Sequence, residues 1–128
     1  MLLAEDDSAL RPLIADRFRA AGFDVVEADD GNAVVECIAD SIVTSDRLPG
    51  FDLIVSDIRL PGLNAFDVLR AARSALEATP VILMTAFGDQ RTRERALSLG
   101  AAAVIDKPLD LDQLVMTARR FLRRPPAR

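Results

Sequence analysis

FDLIVSDIRLPG, residues Phe51–Gly62, follows the pair Pro49-Gly50 and ends on the pair Pro61-Gly62. Its apolar run, Leu53-Ile54-Val55, is too short for a helix. It suits a strand buried on both faces, as in the middle of a parallel sheet. The run leads to one carboxylate, Asp57, and there the chain turns. Ligands of open α/β sheets bind where strands finish. Asp57 therefore stands where an ionisable group is costly for stability and useful for chemistry. It is badly placed as a simple cap of the following helix, because Pro61-Gly62 intervene and Asn64 is the better cap.

On either side, short apolar runs alternate with helical stripes. Leu2-Leu3-Ala4 is a strand ending in Glu5-Asp6-Asp7. Ser8 is the expected N-cap of a helix whose inward stripe is Leu10, Leu13, Ile14, Phe18 and Ala21, with Pro12 in its first turn and Gly22 at its end. Phe23–Glu27 reads as a second strand near an edge, and Asp29-Asp30-Gly31 as a turn. Asn32 is the expected cap of a helix through Val34, Ile38 and Ile42. Ser41–Gly50 reads as a frayed helix end and a solvated loop. After Arg59–Asn64, the residues Phe66, Leu69, Ala72 and Leu76 form a third stripe. Pro80 opens the strand Val81–Met84, which finishes at Thr85-Ala86. Gly88-Asp89 lead into a weakly amphipathic fourth helix ending at Leu99-Gly100. Ala102–Ile105 is a fifth strand ending at Asp106-Lys107-Pro108. Asp110 caps the last helix, with Gln113 as its capping-box partner. Leu111, Leu114, Val115, Ala118 and Leu122 face inward, while Arg119, Arg120, Arg123 and Arg124 are read as solvated complements to the helix dipole. Residues 1–124 form one domain, and 125–128, beginning with Pro125-Pro126, read as a linker or the end of the chain. Right-handed crossovers then give an α/β, doubly wound, five-stranded parallel sheet with five helices on its two faces.

The 128 residues suffice for one core, and 50% of them are hydrophobic, which excludes a disordered chain. No apolar run approaches the ~20 residues that span a bilayer. The acidic Glu5-Asp6-Asp7 leaves no room for a signal peptide. Cys37 is the single cysteine; it lies beside the second helical stripe, suits a reducing, cytoplasmic compartment and reads as core packing. A net charge of −4 argues against a direct nucleic-acid binder. With no histidine in the chain, neither a phosphohistidine nor a His-ligated metal is available.

Every polar signal follows a strand: Glu5-Asp6 the first, Asp57 the third, Thr85 the fourth, Lys107 the fifth. If the first and third strands are neighbours, three carboxylates share one pocket. Two like charges ~4 Å apart repel by about 4 kcal/mol at an effective dielectric near 20. Such a group calls for a cation or for large pKa shifts. All-oxygen ligands favour a hard ion, Mg²⁺ before Ca²⁺. Metal, ammonium (Lys107) and hydroxyl (Thr85) around one carboxylate make a site for a phosphoryl group bonded to it.

The motifs EDD (Glu5–Asp7), SDIRLPG (Ser56–Gly62), MTA (Met84–Ala86) and DKP (Asp106–Pro108) resemble, in order and over nearly the whole chain, the receiver domain of bacterial two-component response regulators. The resemblance implies a flavodoxin-like sheet of strand order 2-1-3-4-5. It implies Asp57 as phosphoacceptor, with Mg²⁺ held by Asp6, by Glu5 largely through water, by Asp57 and by the Arg59 backbone carbonyl. Lys107 would bind the phosphoryl oxygens, Thr85 would swing in to them, and the Lys107-Pro108 peptide would be cis. Arg59 and Phe87 would flank the water that ends the phosphorylated state. Four places depart from the family pattern. Val104 stands for the usual aromatic residue, Ala65 for a common glycine and Leu109 for a frequent phenylalanine, and Gly31–Asp57 is long.

The resemblance further implies as partners a histidine kinase or histidine phosphotransfer protein docking near the first helix, and an effector domain beyond the C-terminal end. Output would pass through the fourth helix, fifth strand and fifth helix, with a phosphorylation-dependent homodimer through that face. Neither nucleic acid nor membrane is an expected direct partner. A haloacid-dehalogenase-like phosphatase wants an acid two residues past the nucleophile, where this chain has Arg59. A dinucleotide binder wants glycines where it has Glu5-Asp6-Asp7. The remaining rival is a pseudo-receiver that binds partners without being phosphorylated.

Overall fold

The computed structural model describes residues 1–44, 51–62, 65–75, 79–86 and 90–122. Through them run β1 (Leu2–Ala4), α1 (Leu10–Ala20), β2 (Val26–Ala28), α2 (Gly31–Thr44), β3 (Ile54–Asp57), α3 (Ala65–Ala75), β4 (Val81–Thr85), α4 (Gln90–Ser98), β5 (Ala103–Asp106) and α5 (Leu111–Leu122). The strands pair in parallel in the order β2-β1-β3-β4-β5, the order implied by the resemblance. The expected Asn64 cap, Leu76, Phe87, Gly88-Asp89, residues 45–50 and the tail from Arg123 lie outside the described residues.

Strand alternation splits the core in two. Leu2, Ala4, Ile54, Val81 and Leu83 point to one face, where Val34 and Ile38 of α2, Val68, Leu69 and Ala72 of α3 and Ala96 of α4 cover them. Leu3, Val55, Ile82 and Met84 point to the other, under Ile14, Ala15 and Phe18 of α1 and Leu114, Val115 and Ala118 of α5. Every residue of β1, β3 and β4 is buried, whereas the edge strand β2 exposes two of three. Among the described residues no helix is long and apolar enough to cross a membrane.

Several local expectations are corrected. Ser8 does not cap α1; Asp7 Oδ1 accepts from the N–H groups of Ala9 and Leu10, at 2.8 and 3.0 Å. Asn32 does not cap α2; Asp30 Oδ1 accepts from Ala33 N–H at 2.7 Å. Leu13 is 58% exposed, because Ile14, Ala15 and Phe18 already fill the face toward the sheet. β2 begins only at Val26, since Phe23 packs edge-on against Phe18, with centroids 5.0 Å apart. Arg119 does more than complement its own helix: it donates to Ala21 O at 2.9 Å and so ties α5 to the end of α1. Gly22, at φ +96°, ends α1 as expected. Asp110 Oδ1 accepts from Gln113 N–H at 3.1 Å at the start of α5.

Candidate functional site

The trailing ends of β1, β3 and β5 place four charged groups together. Glu5 continues β1 by one step, its N–H donating to Ala28 O at 3.0 Å. Its side chain is fully buried. Lys107 Nζ donates to Glu5 Oε1 at 2.7 Å, and Asp7 N–H to Glu5 Oε2 at 3.1 Å. Asp57 ends β3 and is also buried. Its Oδ2 accepts from Lys107 Nζ at 3.0 Å and its Oδ1 from Arg59 N–H at 3.2 Å. Asp6 is exposed. One oxygen from each of Glu5, Asp6 and Asp57 lies within 4.8 Å of the others. The neighbourhood of the first and third strands, on which the crowding depended, is real.

The electrostatics differ in one respect from the simplest reading of three bare acids. The Lys107 ammonium itself bridges Glu5 and Asp57, so one cation already offsets part of the charge. Burial, with the Asp57 charge adding to it, pushes the Glu5 carboxyl above its ordinary range, against the pull of Lys107 and Asp7 N–H. Burial works to lower the Lys107 pKa, but hydrogen bonds to Glu5 and Asp57 outweigh it and the net shift is upward. Lys107 thus stays charged. The N–H groups of Leu10 and Ala9 hold Asp7 below its ordinary range, which marks it as a helix cap and not a member of the cluster.

Past Asp57 the chain keeps one more sheet bond, Ile58 N–H to Met84 O at 2.8 Å, and then leaves the sheet. Gly62 turns it at φ +94°. A Cβ there would meet Asn32 Nδ2 at 3.0 Å, and Gly31 N–H donates to Pro61 O at 2.8 Å. The β3–α3 loop is therefore docked on the start of α2. Asp6, Ile58, Arg59, Leu60, Pro61, Gly62 and Phe66 line an open cleft of about 480 Å³. Arg59 and Asp6 share this cleft, so the loop backbone and the exposed carboxylate face one space. The donor set is all oxygen, crowded and negative even after Lys107 is counted. That fits a small hard divalent cation such as Mg²⁺.

Residues 1–119 match the family model of the response regulator receiver domain. The chain belongs to that family. The transcriptional regulatory protein CpxR of Escherichia coli is 36% identical over 124 residues, which are 97% of this chain and 49% of that protein. The chain thus spans about half the length of this curated relative. A solved receiver domain of the Francisella response regulator 1452 superposes with a TM-score of 0.80 at 27% identity, covering 94% of this chain and 93% of that one. The receiver domain of NtrX from Brucella abortus gives 0.83 at 25% identity, covering 97% and 98%. The family is a phosphoacceptor module of two-component signalling and not a turnover enzyme.

In this receiver Thr85 is buried at the end of β4, directly across the ladder from Asp106. The Lys107 N–H donates to Thr85 O at 2.6 Å, so the backbone of β4 anchors the peptide from which the Lys107 side chain reaches the site. The Lys107-Pro108 bond is cis. Val104, at the usual aromatic position, is buried in the cluster that contains Ala96 of α4. Ala65 begins α3, and the left-handed turn falls at Gly62.

Two residues of the site's surroundings were not singled out from the sequence. Arg11 Nη1 donates to Glu5 O at 3.1 Å. Arg93 of α4 donates to Val104 O and to Asp106 Oδ1, both at 2.7 Å. By sequence each is one charge among several on the polar side of its helix. The only available signal was position: a long cationic side chain in the first turns after a strand end.

Proposed function

We propose that this receiver accepts a phosphoryl group on Asp57 from the phosphohistidine of a partner kinase or phosphotransfer protein. The observation that carries this is the Asp57 carboxylate itself. It ends a fully buried strand, is oriented by Lys107 Nζ and Arg59 N–H, and lies within reach of two further carboxylates. A carboxylate oxygen of Asp57 attacks phosphorus, the P–N bond to the imidazole breaks, and the imidazole leaves with its electron pair. Asp6, Asp57 and the Arg59 carbonyl would hold Mg²⁺, with Glu5 doing so largely through water. When bound, the ion neutralises charge on the transferring group. Lys107, which bridges Glu5 and Asp57, exchanges a carboxylate for phosphoryl oxygens, and Thr85 swings in to hydrogen-bond them. Arg59, and Phe87 beyond the described residues, flank the approach of water and set the lifetime of the acyl phosphate.

Features of the surface support the partner readings. Leu13 is exposed beside Leu10, Pro108 and Leu109, which gives an incoming kinase an apolar footing next to Lys107. Ala96 is the single buried residue of α4, so the α4–β5–α5 face is the part most easily shifted for output or for a phosphorylation-dependent homodimer. Residues 1–124 act as the receiver, in the cytoplasm, and an effector lies outside the 128 residues, as the length of CpxR suggests.

The test is incubation with Mg²⁺ and a small acyl-phosphate donor, followed by intact-mass measurement. The wild-type chain gains one phosphoryl group, and Asp57→Asn gains none. A wild-type chain that gains none leaves the pseudo-receiver reading standing. Light scattering on the same samples reads the mass change that the homodimer requires.

A further inference from the structure

The geometry points to Arg11 as a positioning residue for the cation site, an inference that rests on the metal reading above. In a parallel ladder the N–H and C=O of one residue point to the same neighbouring strand. The Glu5 N–H goes to Ala28 O of β2, at 3.0 Å. Its C=O therefore also points at β2, but β2 ends at Ala28. The ladder offers that carbonyl no further strand residue. Arg11 supplies the donor, its Nη1 reaching Glu5 O at 3.1 Å.

The guanidinium is itself aimed. Arg11 Nε donates to Glu27 Oε1 at 3.2 Å, and Arg19 Nη1 pairs with Glu27 Oε2 at 3.2 Å. Arg11 N–H donates to Asp7 O at 2.9 Å. The backbone of Arg11 thus closes on the residue after Asp6, and its side chain closes on the residue before it. Asp6, the one exposed carboxylate of the cluster, rides on a peptide fixed from both sides. Arg11 sets where Asp6 meets the cation without touching the cation.

Charge and position predict opposite results, which makes the role testable. Removing a nearby positive charge by itself tightens cation binding. Removing the group that orients a ligand weakens it, typically tenfold or more. Magnesium titration by calorimetry suits a chain without Trp or Tyr. Arg11→Ala is expected to bind Mg²⁺ about tenfold more weakly, and Arg11→Lys, which keeps a donor, to recover part of the loss. Arg17→Ala, which removes an α1 charge paired with Asp112 and not with Glu5 or Glu27, is expected to bind like wild type. Circular dichroism checks folding. Should Arg11→Ala not fold, Arg11→Met, which keeps the stem without a donor, is read in the same way. Equal or tighter Mg²⁺ binding by the neutral variant, or an equal loss in Arg17→Ala, overturns the inference while the metal reading survives. A wild-type chain indifferent to Mg²⁺ overturns both.

Discussion

Asp7 carries two separate duties through two different groups. Its N–H helps hold Glu5, while its carboxylate accepts from the N–H groups of Ala9 and Leu10. A helix start leaves such donors without intrahelical partners, and a side-chain oxygen there is worth a measurable share of stability. Asp7→Ala therefore lowers the melting temperature by a few degrees, whereas Ser8→Ala leaves it unchanged; equal shifts in thermal unfolding would contradict this assignment. The same substitution pattern explains why the caps were misread from sequence. Ser8 and Asn32 are as good by type as Asp7 and Asp30. What decides between neighbours is which oxygen faces the free N–H groups as the chain leaves a strand. That angle is a property of the packed turn, not of residue type.

At the scale of elements, α4 is the exception among helices. Its thin apolar stripe was legible in QRTRERALS, and it buries only Ala96 while leaving Leu97 45% exposed. Its attachment comes instead from long cations: the two hydrogen bonds that Arg93 donates to Val104 O and Asp106 Oδ1, and the Arg95 guanidinium 4.4 Å from the Phe66 ring centroid. These could not be read in advance, because the partners lie on another strand or another helix and no spacing rule connects them. Arg93 joins α4 to the residue immediately before Lys107. Hydrogen bonds from a charged donor contribute about 1.5–3 kcal/mol when well enclosed, and the Arg93 side chain is 27% exposed. Arg93→Ala is expected to lower the free energy of local opening by about 1–2 kcal/mol. Amide exchange then speeds up about 5- to 30-fold in α4 and stays unchanged in α1 and α5. Uniform acceleration across all helices, or none in α4, would show that Arg93 is not the tie.

Across the whole molecule, architecture was legible because the three central strands are built on the unbroken apolar runs Leu2–Ala4, Leu53–Val55 and Val81–Met84 and each turn carries Gly, Pro or Asp. The two-faced core then follows from simple alternation. The crowding of Glu5, Asp6 and Asp57 was legible too, since acids at the ends of adjacent parallel strands must meet. What sequence alone could not place was the resting position of Lys107, because a long side chain has many rotamers and the choice is made by surrounding charge. It reaches from the end of β5 to the ends of β1 and β3, clamping strands that do not adjoin it. Its side chain is 19% exposed, against 0% for Glu5 and 11% for Asp57. Removing one member of such an enclosed cluster leaves carboxylates without a counter-charge, at a cost of about 3 kcal/mol. Lys107→Met should therefore lower the stability of the metal-free protein by about that amount in denaturant unfolding. Mg²⁺ should then stabilise the variant more than wild type, because the ion restores charge that wild type already has in part. If the two proteins gained equally from Mg²⁺, or if metal-free Lys107→Met were as stable as wild type, the lysine would be a bystander. The acids would then tolerate each other by some other means, such as a proton held on Glu5.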